Sequence, residues 1–212
     1  LHFRYIETAE GSEKAISYFL RAIEEDQNHT LAYAGLAEAY FLRAYQALDF
    51  DLFHKSAAAA EKAFKLDPNL PETNVALGIV RECQQLDWSG AEQLFRKAIE
   101  LNPKHWNAHR ELGLLYWRTG RFEQAEREAL QSLELEPLKA QTYLLLGAVY
   151  SSTGKHAVAA EHFEKGSEID YNYCAEALGW EYLTLGQYEQ ARDVFTKAQS
   201  PLIACYYTAV GR

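Results

Sequence analysis

The stretch RELGLLYWRTGRFEQA, Arg110 to Ala125, returns twice downstream on the same skeleton. Leu112, Gly113, Tyr116, Gly120 and Ala125 reappear as Leu146, Gly147, Tyr150, Gly154 and Ala159, and again as Leu178, Gly179, Tyr182, Gly186 and Ala191. Upstream, Leu77-Gly78 opens another copy, so the leucines of the Leu-Gly pairs lie 35, 34 and 32 residues apart. LAEAY, with Leu36 and Tyr40, is an earlier copy still. LDPN, LNPK and LEPL keep the same phase through Pro68, Pro103 and Pro137, and IDYN continues it with Tyr171 in the proline slot. A period of this length makes each copy one supersecondary unit in an array.

Each marker has a mechanical reason. Leu112, Leu115 and Tyr116 recur at three and four, the spacing of an amphipathic helix, and Thr119-Gly120 breaks it. A second helix follows through Phe122, Ala125, Leu130 and Leu133 to Leu135, and Pro137 disfavours helical geometry at the residue before it. Gly113 and Ala125 are small where two helices approach closely, and Tyr116 fills the space beside them. A single pair of helices cannot stand alone, because ordering about 34 residues at about 1.5 kcal/mol each costs roughly 50 kcal/mol, which only burial against neighbouring pairs offsets.

The pattern LGxxY, then Gly, then AxxxF (Ala91 to Phe95, Ala159 to Phe163, Ala191 to Phe195), then Pro, resembles the tetratricopeptide repeat over nearly the whole chain. The resemblance implies an all-α fold, with tandem antiparallel helix pairs stacked into a right-handed superhelix. As a single array, residues 1–29 form a partial first repeat, 30–70 a repeat with an inserted loop, then 71–105, 106–139, 140–171 and 172–200, with 201–212 starting a further or capping helix. More narrowly, LAYAGLAEAY, KLDPNLPETNVALG and LDWSGAEQLFRKAIELNP look like the tetratricopeptide segments attached to bacterial winged-helix regulators, adenylate cyclases and protein kinases. No kinase, cyclase or DNA-binding motif accompanies them.

Departures from the pattern carry their own expectations. About seven extra residues between Tyr40 and Lys55 should bulge as a loop from one edge, and Ala129 stands where an aromatic is expected. Ser200-Pro201 has the form of an N-cap followed by proline, and LIACYYTAV is then apolar nearly all round. Val210-Gly211 falls where the next Leu-Gly pair would sit. A terminal helix without a polar outer face implies self-association through this end, or cover by a further repeat.

Composition sets the partners. With 48% hydrophobic and 24% charged residues the chain is globular, and its net charge of -9 and pI near 5.3 repel phosphate backbones. No block of Lys and Arg forms a nucleic-acid footprint, so none is expected as a partner. Cys83, Cys174 and Cys205 are far apart and read as reduced core residues. No apolar run is long enough for membrane insertion, and a cytoplasmic location is expected. The chain opens at Leu1 and contains no Met, so its true N-terminus is expected to lie outside this sequence.

Catalysis needs convergent groups, and the local signatures of convergence are missing. TGKH at Thr153 to His156 lacks the upstream glycine of a phosphate loop, and HExxH and GxSxG do not occur. His105 and His109 share a helical face at i, i+4, but no carboxylate or cysteine completes a three-ligand set with them and His109 lies on the packing stripe. A non-enzymatic chain with no catalytic residues, metal or cofactor is expected.

Binding needs only a surface. In the resembled fold the first helices of successive units line a concave groove, and residues off the packing stripe face it. Leu114 lies about 200° from Leu112 on a wheel of 100° per residue. Arg110, Leu114, Trp117 and Arg118 therefore form a second stripe. Its counterparts are Glu38 and Phe41; Ile79 and Glu82; Leu144 and Ser151; and Trp180 and Thr184. Aromatic and aliphatic groups rimmed by charge suit a protein or peptide ligand. Leu114 stands where a carboxylate clamp of the resembled fold needs Asn, which disfavours capture of a C-terminal carboxylate. Trp88, between two helices, is expected to pack under the next unit rather than to bind. The runner-up role is a sensory or regulatory segment of a larger bacterial regulator, cyclase or kinase.

Overall fold

The alternation of Leu-Gly and Ala-xxx-Phe segments produces helices joined by connections of a few residues, which forces successive helices to run antiparallel. The computed structural model describes residues 9–209. Among them are twelve helices and no strand: α1 (Ala9–Glu25), α2 (Thr30–Ala47), α3 (Phe50–Leu66), α4 (Pro71–Cys83), α5 (Trp88–Leu101), α6 (Trp106–Arg118), α7 (Phe122–Leu135), α8 (Ala140–Ser152), α9 (His156–Ile169), α10 (Tyr171–Thr184), α11 (Tyr188–Lys197) and α12 (Ile203–Ala209). The chain divides into two compact units between Leu115 and Tyr116. In the first, α2 packs on α1, α3 and α4, and α4 on α3 and α5. In the second, α8 packs on α7, α9 and α10, and α10 on α9 and α11.

The repeated glycine earns its place by a close approach. A Cβ on Gly78 would stand 2.4 Å from the Phe95 ring, one on Gly147 2.3 Å from Phe163, and one on Gly179 2.4 Å from Phe195. Each of these rings is at most 2% exposed, so glycine and phenylalanine act as one packing unit across a hairpin. The α2–α3 hairpin solves the same problem with alanines: Ala37, Ala59, Ala60 and Ala63 form its buried seam, and Ser56 Oγ donates to the Ala37 carbonyl at 2.9 Å.

Between hairpins, the residue before the proline slot folds the chain back with its own side chain. Asp26, Asp67 and Asn102 each accept a hydrogen bond from the backbone two residues on, at 2.9, 2.8 and 3.0 Å. His29 and His105 then cap α2 and α6: their Nδ1 atoms accept from the N–H of Ala32 and Ala108. Burial holds His105 below the ordinary imidazole value, which favours the neutral ring that capping requires. His109 turns its Nε2 to the Pro103 carbonyl at 3.1 Å, so the i, i+4 histidines serve two separate backbone contacts.

The extra residues between Tyr40 and Lys55 do not form a loop. They lengthen the hairpin, giving 18 residues in α2 and 17 in α3 against 13 in α4 and 14 in α5. Residues of good helix propensity there leave no break until Leu48-Asp49. The short spacing before Leu178 has a similar local cause, since Asp170 alone connects α9 to α10. At the C-terminal end, Ser200 Oγ accepts from the Leu202 N–H at 3.2 Å and donates to Glu176 at 2.8 Å; the proposed Val210-Gly211 copy and residues 1–8 lie outside the described residues.

Turns within hairpins come in two kinds. Gly120, Gly154 and Gly186 adopt φ of 75°, 76° and 73°, the left-handed region open to glycine. Leu48 and Leu86 occupy the same region at φ 53° and 54°, with side chains 79% and 74% exposed. A left-handed leucine costs about 1–2 kcal/mol, partly offset by the unfolded-state entropy of the glycine that would replace it. Leu48→Gly and Leu86→Gly are therefore each expected to stabilise the protein by about 0.5–1 kcal/mol, raising Tm by roughly 2 °C in thermal melts. A fall in Tm on either substitution contradicts this account.

Candidate functional site

The first helices of the second unit bring a polar and aromatic group together. The last turn of α6 supplies Trp117 and Arg118, α8 supplies Ser151 and Ser152, and α10 supplies Trp180, Glu181 and Thr184. Trp117 Nε1 donates to Ser152 Oγ at 2.9 Å, and Ser152 Oγ donates back to the Ala148 carbonyl at 2.7 Å. Beside it, Ser151 Oγ donates to Glu181 Oε1, whose other oxygen lies 2.8 Å from His156 Nδ1 at the start of α9. Glu181 is only 6% exposed. A carboxylate this deep requires partners, and the serine and histidine supply them from two neighbouring helices.

Trp180 is 37% exposed and sets its ring edge-on to Phe195 within its own hairpin, with centroids 6.4 Å apart. Thr184 bonds back to the Trp180 carbonyl at 3.0 Å and is exposed, as is Arg118. Leu144 is buried and belongs to the packing rather than to the surface. Two tyrosines of the repeat pattern fasten successive hairpins: Tyr150 donates to Glu126 at 2.6 Å and Tyr182 to Glu164. Burial, reinforced by the adjacent carboxylate, pushes the Tyr150 hydroxyl up to about 12. Burial also pushes the Cys174 thiol up to about 12, leaving it a core residue without thiolate character.

In the first unit the sequence-derived stripe is less open. Ile79 and Glu82 are buried, at 8% and 3% exposure. Glu38, Phe41, Arg110 and Leu114 are half-buried. Phe41 packs edge-on against Phe53 at 5.8 Å, and Arg110 is held on its own helix by Asn107 at 2.9 Å and by Glu111. Trp88 departs from expectation. It is the first residue of α5, directly after the N-cap Asp87, and is 45% exposed rather than packed under the next unit.

The tetratricopeptide repeat family model matches residues 82–134 and 116–168, and a second tetratricopeptide model matches residues 176–200. The chain belongs to the tetratricopeptide repeat family. Anaphase-promoting complex subunit 3 of Schizosaccharomyces pombe is 26% identical over 109 residues, covering 51% of this chain and 16% of that protein. Superkiller complex protein 3 of Mus musculus is 26% identical over 201 residues, covering 87% of this chain and 12% of that protein. The tetratricopeptide chain thus spans a small part of the length of these curated relatives. Among solved structures, the human IFIT1 dimer with PPP-AAAA shares the fold, with a TM-score of 0.79 at 19% identity over 94% of this chain and 48% of that one.

Tetratricopeptide arrays are protein-interaction scaffolds and are typically non-enzymatic. Among the described residues of this one, no three His, Cys, Asp or Glu side chains group as metal ligands, and no helix is long and apolar enough to cross a membrane. The Glu181–His156 pair was not singled out from the sequence. The signal was available in the register of the tetratricopeptide units: Glu181 stands where the other units carry Ala39, Val80, Leu115 and Val149.

Proposed function

We propose that the second unit binds a protein or peptide segment on its first helices, with Trp117, Arg118 and Trp180 as the contacting side chains and Thr184 at the rim. The observation that carries the reading is the fixed position of both indoles. The Trp117 N–H is already bonded to Ser152, and the Trp180 ring is braced on Phe195 while 37% exposed. Rings held this way lose little freedom on binding, which suits them as anchors. The Ser151–Glu181–His156 network lies beneath and ties α8 to α10. The net charge of -9 favours a protein ligand over a phosphate-bearing one.

The test is capture of peptides from a displayed random library by the intact chain, followed by titration of the selected peptides. Trp117→Ala with Arg118→Ala should leave helical circular dichroism unchanged and weaken binding about thirtyfold, as loss of an aromatic anchor does. Unchanged affinity in that variant places the site elsewhere. A second reading, a regulatory segment within a larger protein, is favoured by the 12–16% of each curated relative that the match covers. The surrounding coding sequence decides it. Self-association through α12 is part of the same proposal, since Tyr207 on that helix is 44% exposed.

A further inference from the structure

Two turns of the first unit carry the same pattern of leucine, aspartate and an aromatic, Leu48-Asp49-Phe50 and Leu86-Asp87-Trp88. In both, the leucine takes the left-handed conformation, at φ 53° and 54°. In both, the aspartate caps the helix that follows: Asp49 Oδ1 accepts from the Asp51 N–H at 2.9 Å, and Asp87 Oδ1 from the Gly90 N–H at 2.9 Å. The aromatic residue is the first of that helix, α3 or α5. All four apolar side chains face solvent: Leu48 at 79%, Phe50 at 78%, Leu86 at 74% and Trp88 at 45%.

The left-handed conformation itself ends the preceding helix, with the Asp49 N–H on the Ala44 carbonyl at 3.1 Å and the Asp87 N–H on the Arg81 carbonyl at 2.9 Å. The leucine side chains add nothing to the core, and a leucine kept in that strained conformation where glycine serves the other hairpins points to a function outside the fold. Both α2 and α3 pack on α4 and every connection is short, so the two turns lie at the same end of adjacent hairpins, the α2–α3 turn projecting further because its helices are longer. The charge around them is acidic. Asp49 and Asp51 flank one turn in sequence and Asp87 the other, Arg81 is ion-paired to Asp87 at 3.1 Å, and Lys55 follows a turn into α3.

We propose that this pair of turns is a second docking edge, which takes a short protein segment whose apolar side chains are flanked by Lys or Arg. The charge selects a basic rim on the partner. The size selects a short segment: four partly exposed side chains of up to about 200 Å² each offer on the order of 500 Å², below the roughly 800 Å² per partner of a stable dimer. The edge lies in a different unit from Trp117 and Trp180 and does not rest on their role.

Trp88 supplies the readout. The intact chain is titrated with fluorescently labelled peptides of about 12 residues, in which Leu and Phe at helical spacing are flanked by Lys, and with the same peptides carrying Glu. The Lys peptides should bind, shift the tryptophan emission to the blue, and weaken as salt rises. The Glu peptides, and the Leu48→Gly/Leu86→Gly variant, should bind at least tenfold more weakly, although that variant keeps its fold. Trp88→Phe should abolish the emission shift. Absence of binding by the Lys peptides, equal affinity for the Glu peptides, or binding unaffected by the double glycine variant overturns the proposal. So does a Lys-peptide affinity lost only in Trp117→Ala/Arg118→Ala. A blue shift of the chain alone that grows with concentration, with a dimer in sedimentation, replaces the peptide with a second copy and overturns it as well.

Discussion

Phe163→Ala is expected to destabilise the protein by about 4 kcal/mol and Gly147→Ala by about 2 kcal/mol, while the double variant costs no more than Phe163→Ala alone. The phenylalanine of α9 is 2% exposed and lies against the one residue of α8 that has no side chain. Removing the ring leaves a cavity in a seam that cannot collapse, because both helices are held by neighbours on either side. Adding a methyl to Gly147 places carbon 2.3 Å from a ring with no room to move. Once the ring is gone, the methyl occupies part of the space it left. Chemical denaturation followed by circular dichroism measures all three variants, and costs that simply add would refute the account of glycine and phenylalanine as one unit.

His156→Ala should cost about 2 kcal/mol, because it leaves the buried Glu181 carboxylate with only Ser151 as a partner. The histidine side chain is 35% exposed, so water recovers part of the loss and keeps the figure below that of a fully buried pair. The informative variant replaces both partners. Val at 181 and Phe at 156 restore the residue types of the other units, Val80 and Val149 at one position and Phe122 at the other. Glu181→Val with His156→Phe is expected to match or exceed the stability of the natural chain, since an apolar pair needs no desolvation of charge. Denaturation midpoints of the single and double variants separate the cases. If His156→Ala is as stable as the natural chain, the histidine does not hold the carboxylate.

Most of the architecture was legible because the array states its rule several times. The spacing of the Leu-Gly pairs and the prolines identified both helices of a unit, and the positions of Gly120, Gly154 and Gly186 marked the turns between them. Where the marker changed, legibility failed. Leu48 and Leu86 give no turn signal, so the α2–α3 connection read as a long loop and Trp88 as a packed residue. The physical reason is that a left-handed leucine is unfavourable and is not expected from propensity.

The binding stripe was legible only in part. Residues that change from unit to unit are free of the packing rule, which brought forward Trp117, Arg118 and Trp180. The same criterion also admitted Ile79, Glu82 and Leu144, which are buried. A wheel angle says which way a side chain leaves its own helix and nothing about how close the next helix lies. Glu181 was hidden for the opposite reason. It occupies a packing position, and its meaning depends on a histidine from the preceding hairpin.

The turn glycines have a consequence for how such a chain can change. Nothing lies within 4 Å of a Cβ built on Gly120, Gly154 or Gly186. A side chain introduced there meets solvent, and its cost is a local backbone penalty that leaves the seams between helices untouched. These positions are therefore mounting points, separable from the framework that carries them. New surface chemistry can be tried at one turn, kept or lost by drift, or installed by an engineer as a label or a recognition group, without redesigning the interior.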